Sequence, residues 1–416
     1  MSELKRKIKV AFIKPAGMSA GGTERFMQTI SANLPKERFE VDYFYCDAMP
    51  YIGGEFKVSE TDPLRMDYMR RHNMNLIKFH MKAKDITSPV HPWVDTDFWA
   101  VFDENKYDII QTARAGHKEY PFYKIRHTPI IDSIHLVAGV DNQYNIARVM
   151  HLNQWSVNKW TGQGGDRKRT VIIINPIEIP VKNYQDLRSQ LGLEGKFVYG
   201  FHQRADDHLA SEIPLQAYKQ IEDQNTGFVI LGGSQKYRRW AKELGLKNAH
   251  FLPATGDEDE IYRFLKTLNV FAHGRKDGEL NSRAMGEGMF FGLPIVSHIS
   301  ENNNGHVPSI GEAGRVVDTL EEYVAEMQRL RQDTGYYNYR SEAAKKRFMS
   351  HYAIETNIGQ ITSVYEDVIK NPFPYPVRRF FYSLHWTQNI RIALAWVYLK
   401  VKYKFHVDIL KILKLR

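Results

Sequence analysis

The sequence predicts an α/β protein built from two parallel sheets in which strands and helices alternate. Residues 8 to 14, IKVAFIK, have the continuous apolar pattern of a buried strand. A glycine-rich turn, PAGMSAGGTERF, follows, and then a helix pattern with Phe26, Met27, Ile30 and Leu34 on one side. A strand, a glycine turn and a helix form the opening unit of a doubly wound sheet, and a second series of the same kind begins near residue 196.

The remaining elements follow in order along the chain. The first half predicts further strands at 39–47, 75–81, 107–113, 128–135 and 171–176. Residues 177 to 196 are polar with a short helix, and we interpret them as a linker between domains. The second half predicts strands at 196–201, 227–233, 249–254, 269–274, 292–298 and 312–318, with helices between them and from 319 to 369.

The composition narrows the class of protein. The chain has 416 residues, of which 43% are apolar and 25% charged, as expected for a soluble globular protein of two domains. Cys46 is the only cysteine, which excludes an internal disulfide and argues against a cysteine-based zinc site. The basic N-terminus lacks an apolar run long enough for a signal peptide, so we expect a cytoplasmic protein.

One stretch near the end of the second series carries candidate chemistry. In DGELNSRAMGEGMFFGLPIVS, residues 277 to 297, Glu279 lies in a loop and Glu287 lies in a predicted helix over 282–290. The free N–H groups of a helix N-terminus bind anions, so this arrangement suits a sugar nucleotide. Two solvated glutamates at a helix start would give the same pattern, and the spacing alone does not separate the two interpretations.

Three segments in order resemble the glycosyltransferases of the GT-B fold, and more narrowly the retaining enzymes of glycosyltransferase family 4. They are GGTERF at 21–26, INPIEIPVKNYQDLRSQLGLEGKFVYGFHQR at 174–204, and DGELNSRAMGEGMFFGLPIVSH at 277–298. The resemblance covers about residues 8 to 370. It implies two Rossmann-like domains that face each other across a cleft, an N-terminal acceptor-side domain over 1–182 and a donor domain over 183–354. Residues 355–416 would supply helices that return to the first domain and a basic amphipathic tail.

The resemblance also implies roles for individual residues. Glu287 would hold the donor ribose, and Glu279 would lie near the donor sugar. Arg204 would bind the diphosphate, and His135 would donate a hydrogen bond to the sugar from the first domain. The backbone near Asn281, Ser282 and Arg283 would face the sugar and diphosphate, and Gly21 and Gly22 would let the backbone approach a phosphate or substrate closely.

Two departures from the family pattern bear on these roles. No glycine follows Glu279, where the family has Glu-Gly-Phe-Gly. The family lysine after the diphosphate-binding arginine is also missing, which leaves His208, Lys276 or Arg283 as a second cation. A catalytically silent protein on the same fold is therefore one alternative, and another enzyme of this fold, an epimerase or a phosphorylase, is a second.

The C-terminal tail holds most of the positive charge. Residues 372–416 contain nine Lys or Arg and one Asp, a net of +8 out of +9 for the chain. This argues against a nucleic-acid-binding body and for a local anionic partner. The apolar run IALAWVYL is too short to span a bilayer, so the segment either lies on a membrane as a peripheral contact or packs on the fold.

The sequence therefore predicts a glycosyltransferase that uses a nucleotide-sugar donor and a hydroxyl acceptor, which could be a glycan or lipid-linked. Arg204 and helix N-termini supply positive charge, and no Asp-x-Asp motif lies in the identified cleft segments. We therefore expect no cofactor and no metal requirement.

Overall fold

A computed structural model describes residues 6–50, 56–58, 61–83, 94–116, 118–372 and 397. The chain forms two compact units. The first comprises the described residues of Met1–His151, Val157–Ile172 and Gln360–Arg416, and the second comprises Leu152–Ser156 and Ile173–Gly359. Two of the four unit boundaries fall within helices, one in Gln154–Gly162 and one in Ile354–Lys370.

The first unit is built on a sheet of seven parallel strands. Strand Ile8–Pro15 lies in the interior of this sheet, and its residues Val10, Ala11, Phe12 and Ile13 are fully buried, as their continuous apolar pattern predicts. In spatial order the strands are Thr170–Ile172, Ile146–His151, Ile130–Ile134, Ile109–Arg114, Ile8–Pro15, Phe39–Cys46 and Asn75–Lys78.

Short elements complete the first unit. Two antiparallel strand pairs occur, Ala48–Pro50 with Phe56–Val58 and Met81–Ala83 with Val94–Thr96. The helices begin after strands or turns and include 3₁₀ segments; they are Gly22–Asn33, Pro63–Arg71, Phe98–Val101, Glu104–Lys106, Phe122–Lys124, Gln154–Gly162 and Arg167–Arg169.

The second unit has a sheet of six parallel strands with its own apolar core. In spatial order they are Ala249–Leu252, Thr226–Gly232, Phe197–Gln203, Val270–Ala272, Ile295–His298 and Gly314–Val317. A separate short parallel pair joins Gly278–Glu279 to Asn303–Asn304. The helical segments are Arg188–Leu191, Ile213–Ile221, Gln235–Glu243, Glu258–Thr267, Arg283–Phe290, His306–Ile310, Gly311–Ala313, Leu320–Gln332, Thr334–Arg347, Phe348–Tyr352 and Ile354–Lys370.

The predicted strands of both series are confirmed, and most of their ends shift by three residues or fewer. Two predicted strands are shorter than expected: the strand predicted at 75–81 ends at Lys78, and the strand predicted at 171–176 ends at Ile172. The helices predicted from 319 to 369 are confirmed as well. Strand Ile146–His151 and the two antiparallel pairs were not predicted. Of the tail 372–416, only Pro372 and Val397 are among the described residues.

Each sheet has a point at which the strand order reverses. In the first unit the chain runs outward from Ile8–Pro15 on one side and then returns to place Ile109–Arg114 on the other. In the second unit the same reversal separates Phe197–Gln203 from Val270–Ala272. Open α/β sheets bind ligands at the carboxyl ends of the strands that flank such a switch point. The loops that follow these four strands are therefore the places to look for function.

Candidate active site

The switch point of the second unit brings together three residues predicted from the sequence, Arg204, Glu279 and Glu287, and places His273 at the same edge. Arg204 follows strand Phe197–Gln203 directly, and His273 follows strand Val270–Ala272 directly. Glu279 lies six residues beyond His273, and Glu287 lies in the helix after it. All four residues belong to the second unit.

Glu287 is buried within helix Arg283–Phe290, with 1% of its side chain exposed. The Nε of Arg283, one helical turn earlier, donates to Glu287 Oε1 over 2.8 Å. The Nε2 of His202 lies 3.2 Å from the other carboxylate oxygen. Ser282 begins the helix, and its Oγ accepts a hydrogen bond from Met285 N over 3.3 Å. The carboxylate of Glu287 is thus held by Arg283, with the His202 ring beside it.

Glu279 lies on the short strand Gly278–Glu279 and has 13% of its side chain exposed. The Nη1 of Arg275 donates to Glu279 Oε1 over 3.1 Å, and His273 Nε2 lies 3.5 Å from the same oxygen. Burial by itself would raise the pKa of this carboxyl, but the neighbouring His273 imidazole, Arg275 guanidinium and Ser282 together lower the pKa well below its usual range. Glu279 is therefore a carboxylate at neutral pH.

The loop that carries Glu279 is held by other buried polar groups. Asn153 Nδ2 donates to the carbonyl of Leu280, and Asn281 Nδ2 donates to Ser309 Oγ over 3.2 Å and to Tyr352 OH over 3.3 Å. Gly278 has φ +82°, a conformation that favours glycine, and a Cβ there would lie 1.7 Å from the carbonyl oxygen of Asn303. The side chain of Asn281 thus supports the loop.

Arg204 is on the same sheet edge but is solvent-exposed. Its side chain is 71% exposed and its Nη2 lies 3.3 Å from Asp206 Oδ2. The preceding residue, Gln203, accepts a hydrogen bond through its carbonyl from Gly233 N over 2.6 Å, which ties this loop to the next one. An exposed guanidinium with one surface carboxylate partner remains available to an anion.

The candidates for a second cation differ in their surroundings. Lys276 is 58% exposed, and its Nζ lies 3.6 Å from Glu301 Oε1. Arg283 is 16% exposed and pairs with both Glu287 and Glu258, the latter at 3.5 Å, so its charge is neutralised. His208 is exposed on the Arg204 loop. Lys276 and His208 are therefore the more available of the three.

The remaining predicted residues belong to the first unit. His135 follows strand Ile130–Ile134, and its ring lies 4.5 Å from that of Phe26 in an edge contact. Burial, with a smaller effect from the charge of Lys14, lowers the pKa of His135 to about 3, so the imidazole is neutral. Gly21 precedes helix Gly22–Asn33, and a Cβ at Gly21 would lie 2.2 Å from Glu24 Oε2, whereas a Cβ at Gly22 would meet open space.

The sequence analysis did not identify three of the residues that surround Glu279 and Glu287. They are Arg275, which binds Glu279, His202, which contacts Glu287, and His306, whose ring centroid lies 5.6 Å from that of His273. Burial lowers the pKa of His306 to about 4, helped by the charge of His273. The spacing of Arg275, Asp277 and Glu279 could have predicted the contact between Arg275 and Glu279, because alternate residues on an extended segment share a face.

Two negative findings apply to the described residues. Among them, no group of three or more His, Cys, Asp or Glu side chains is arranged to hold a metal ion. In the same part of the chain, no helix has the length and apolarity needed to cross a bilayer.

Comparison with known proteins places this geometry in context. Residues 183–347 match the family model described as glycosyl transferases group 1. No curated protein sequence matches the chain significantly.

Solved structures resemble the chain over most of its length. Anabaena HepE in complex with UDP-glucose is 16% identical, with a TM-score of 0.64 over 86% of this chain and 100% of that one. Sucrose-phosphate synthase from Thermosynechococcus elongatus is 16% identical, with a TM-score of 0.64 over 88% and 100%. A glycosyltransferase from Rickettsia africae is 11% identical, with a TM-score of 0.64 over 88% and 100%. At these identities the structures show a shared fold. The chain therefore has the GT-B fold, carries a glycosyl transferases group 1 domain over residues 183–347, and is a glycosyltransferase.

Proposed function

We propose that this protein is a retaining glycosyltransferase that moves a sugar from a nucleotide-diphosphate sugar to a hydroxyl group of an acceptor. The observation that carries the proposal is a pair of glutamates, the partly buried Glu279 and the buried Glu287, at the switch point of the group 1 domain. Each is held by basic side chains, Glu279 by Arg275 and Glu287 by Arg283. Fixed carboxylates at a helix start suit the recognition of hydroxyl groups in a nucleotide sugar.

The two carboxylates have different roles in this proposal. Glu287 accepts hydrogen bonds from the vicinal hydroxyls of the donor ribose, because a carboxylate oxygen can accept more than one hydrogen bond. Glu279 binds hydroxyls of the donor sugar and stabilises the positive charge that develops at the anomeric carbon. Its low pKa keeps it charged for that purpose.

Positive groups stabilise the leaving diphosphate. Arg204, the N-terminus of helix Arg283–Phe290 and the backbone near Asn281 and Ser282 supply these groups. His135 of the first unit donates a hydrogen bond to the sugar, and the backbone at Gly21 and Gly22 approaches the substrate. The proposal includes no metal ion, since these groups provide the charge that a metal would otherwise supply.

Retention of anomeric configuration follows from attack on the same face that the diphosphate leaves. The acceptor hydroxyl forms the new bond to the anomeric carbon as the bond to the diphosphate breaks, and the leaving phosphate takes the hydroxyl proton. Glu279 is a poor nucleophile because its oxygen is bound by Arg275 over 3.1 Å. No covalent intermediate with the enzyme is therefore needed. The HepE structure, which holds UDP-glucose, supports a nucleotide-sugar donor for this fold.

We also propose that the acceptor is a glycan, glycolipid or glycoprotein precursor presented at the cytoplasmic face of a membrane. The support is the net charge of +8 in residues 372–416, which suits an anionic lipid surface. Apart from Pro372 and Val397, this segment lies outside the described residues.

A thermal-shift panel with UDP-, GDP-, ADP- and TDP-sugars tests the donor site. We expect one of them to raise the melting temperature of the wild type, since a ligand that binds only the folded state stabilises it. Glu287→Ala should abolish the shift. Glu243→Ala is the matched control, because Glu243 is 60% exposed in the same unit and pairs with Arg239 at 3.7 Å on the protein surface.

No shift with any donor would reject the nucleotide-sugar proposal.

Product analysis then tests the reaction. Transfer requires an acceptor, whereas an epimerase would act on the donor alone and a phosphorylase would require phosphate. The anomeric configuration of the product, read by NMR, distinguishes retention from inversion.

A further inference from the structure

The peptide group between Leu280 and Asn281 lies in the candidate site, just before helix Arg283–Phe290. Its carbonyl, that of Leu280, accepts a hydrogen bond from Asn153 Nδ2, across 127 residues of sequence. Asn153 belongs to the segment Leu152–Ser156 of the second unit, so both partners lie in one unit. The side chain of Asn153 is therefore in direct contact with the main chain of the candidate site.

Asn153 is itself held by the other half of its amide. It precedes helix Gln154–Gly162, and its Oδ1 accepts a hydrogen bond from Ser156 N over 2.8 Å, as a helix N-cap does. A backbone N–H only donates and a carbonyl only accepts, so the amide has one orientation that satisfies both neighbours. The residue is 7% exposed. The Nδ2 of Asn153 is thus directed at Leu280 by a buried, fixed side chain.

Gly305 makes room for this contact. A Cβ at Gly305 would lie 2.0 Å from Asn153 Nδ2 and 2.6 Å from the carbonyl oxygen of Leu280. The φ of Gly305 is −63°, which any residue adopts, so the position requires glycine for space alone. The amide and the carbonyl therefore meet where a methyl group does not fit.

Holding the carbonyl of Leu280 also fixes the N–H of Asn281. The peptide bond between them is trans, and in a planar trans peptide the C=O and the N–H point in opposite directions. The N–H of Asn281 is therefore directed away from Asn153.

The N–H of Asn281 makes no hydrogen bond with any group in the described part of the chain. The residue is 8% exposed, and an unpaired backbone N–H in a buried residue is rare in folded proteins. It lies two residues before the first residue of helix Arg283–Phe290, at the end where the helix dipole favours negative charge. An anion is the partner that suits such a group.

The other contacts of this segment do not set the direction of that N–H. Asn175 Nδ2 approaches the carbonyl of Asn281, which belongs to the following peptide, at 3.5 Å, the outer limit of a hydrogen bond. The side chain of Asn281 is bound by Ser309 and Tyr352, beyond its Cα. The plane of the peptide that carries the N–H thus depends on Asn153.

We propose that Asn153 is a positioning residue that turns the N–H of Asn281 toward the diphosphate of the donor. This inference rests on the proposed function for the identity of the anion. Asn153 acts through the peptide between Leu280 and Asn281 and makes no contact with the ligand. The N–H donates to a diphosphate oxygen, and this hydrogen bond strengthens as negative charge develops on the leaving group.

The test follows the backbone amide of Asn281 by NMR, in the full chain labelled with ¹⁵N-asparagine and titrated with inorganic pyrophosphate. Asn281→Gln removes one signal from the spectrum and so assigns it. We expect pyrophosphate to shift this signal in the wild type. In Asn153→Ser and Asn153→Ala the same signal should report roughly tenfold weaker binding, as for the loss of a hydrogen bond to a charged group.

Asn153→Ser separates positioning from helix capping. Serine caps a helix as well as asparagine does, but its hydroxyl is one atom shorter than the amide and does not reach the carbonyl of Leu280. A residue that only caps the helix would be replaced by serine without loss of pyrophosphate binding. Thr319→Ala is the control, because it removes the cap of helix Leu320–Gln332 in the same unit and should leave pyrophosphate binding unchanged.

Gly305→Ala is a second test that leaves Asn153 in place. The added methyl group displaces the amide of Asn153 from the carbonyl of Leu280, so we expect the same tenfold loss of pyrophosphate binding. Gly359→Ala is its control, since a Cβ at Gly359 would meet open space in the same unit.

The outcomes separate this inference from the donor proposal. Wild-type binding in Asn153→Ser or Gly305→Ala, or an Asn281 signal that does not respond to pyrophosphate in the wild type, would overturn the inference. If nucleotide sugars raise the melting temperature while that signal does not respond, the donor proposal stands and the positioning role fails. If pyrophosphate binding depends on Asn153 while no nucleotide sugar stabilises the wild type, the positioning role stands and the donor proposal fails.

Discussion

Glu119 is buried and Glu279 is partly buried, and their pKa values are shifted in opposite directions. Glu279 has Arg275 and His273 against its carboxylate, and they outweigh burial. Glu119 has only the more distant charges of Lys14 and Arg114, and burial outweighs them. The carboxyl of Glu279 is therefore charged at every physiological pH, whereas the carboxyl of Glu119 changes its charge near neutrality.

The raised pKa of Glu119 makes a prediction about stability. Folding shifts this pKa from 4.5 to about 7, so the folded state holds the proton more tightly than the unfolded state. The resulting cost is absent below pH 4.5, grows as the pH rises and is complete above pH 7. In Glu119→Gln this cost is removed, so we expect the variant to gain about 3 kcal/mol over the wild type between pH 4.5 and pH 8.

Urea denaturation of both proteins at the two pH values measures this gain. Glu37→Gln should show no comparable pH dependence, since Glu37 is exposed. A difference between Glu119→Gln and the wild type that stays constant with pH would contradict the prediction.

Among the elements, the short parallel pair Gly278–Glu279 and Asn303–Asn304 determines where the Glu279 carboxylate lies. Gly278 permits this pairing through its φ of +82° and its lack of a side chain, since a Cβ would lie 1.7 Å from the Asn303 carbonyl oxygen. Because that oxygen is backbone, the clash is relieved only when the two strands move apart. The position of Glu279 thus depends on a neighbouring residue that has no functional group.

We predict that Gly278→Ala separates the two strands and abolishes the nucleotide-sugar shift. Gly245→Ala is the control, because Gly245 also has positive φ, +63°, but its Cβ would meet open space. The control should lose only about 1 kcal/mol, the cost of the backbone conformation, and keep the shift. Thermal unfolding of both variants with and without the donor measures this, and a retained shift in Gly278→Ala would contradict the prediction.

The elements also show how far the sequence could predict the fold. Continuous apolar runs such as IKVAFIK predicted the buried strands, because a parallel strand covered on both faces requires them. Strand Ile146–His151 was missed because Arg148 interrupts its apolar pattern. Arg148 is bound by Asp367, which lies 219 residues later, and a local pattern cannot show such a pairing.

The residues of the candidate site could also be predicted from the sequence only in part. Glu279, Glu287 and Arg204 belong to local motifs and could be named from the sequence. Arg275 and His202 depend on the contacts of the folded chain, as does the burial of Glu119. The sequence around Glu119, AGHKEYPF, is polar and indicates a surface turn.

For the whole molecule, the distribution of charge matters more than its total. The tail 372–416 carries +8 of the net +9, so the other residues are close to neutral. Such a molecule should bind an anionic surface through residues 372–416.

We predict that the full chain sediments with vesicles that contain phosphatidylglycerol and not with vesicles of phosphatidylcholine alone. Binding should fall steeply as salt rises, because screening weakens the attraction between the basic tail and the lipid headgroups. Equal binding to both kinds of vesicle would show that charge does not drive the association. Binding that salt does not weaken would show the same.

The hydrogen bonds that hold the loop after strand Ile8–Pro15 have a consequence for how this protein can diversify. The carbonyl of Gly17 accepts hydrogen bonds from Gln28 Nε2 over 2.7 Å and from Tyr43 OH over 3.1 Å, so the shape of the loop does not depend on the side chains at the carboxyl edge of the first sheet. Lys14, Glu119 and His135 can then be exchanged while the frame beneath them persists. A library that varies these three positions and leaves Gln28 and Tyr43 intact should therefore yield folded proteins.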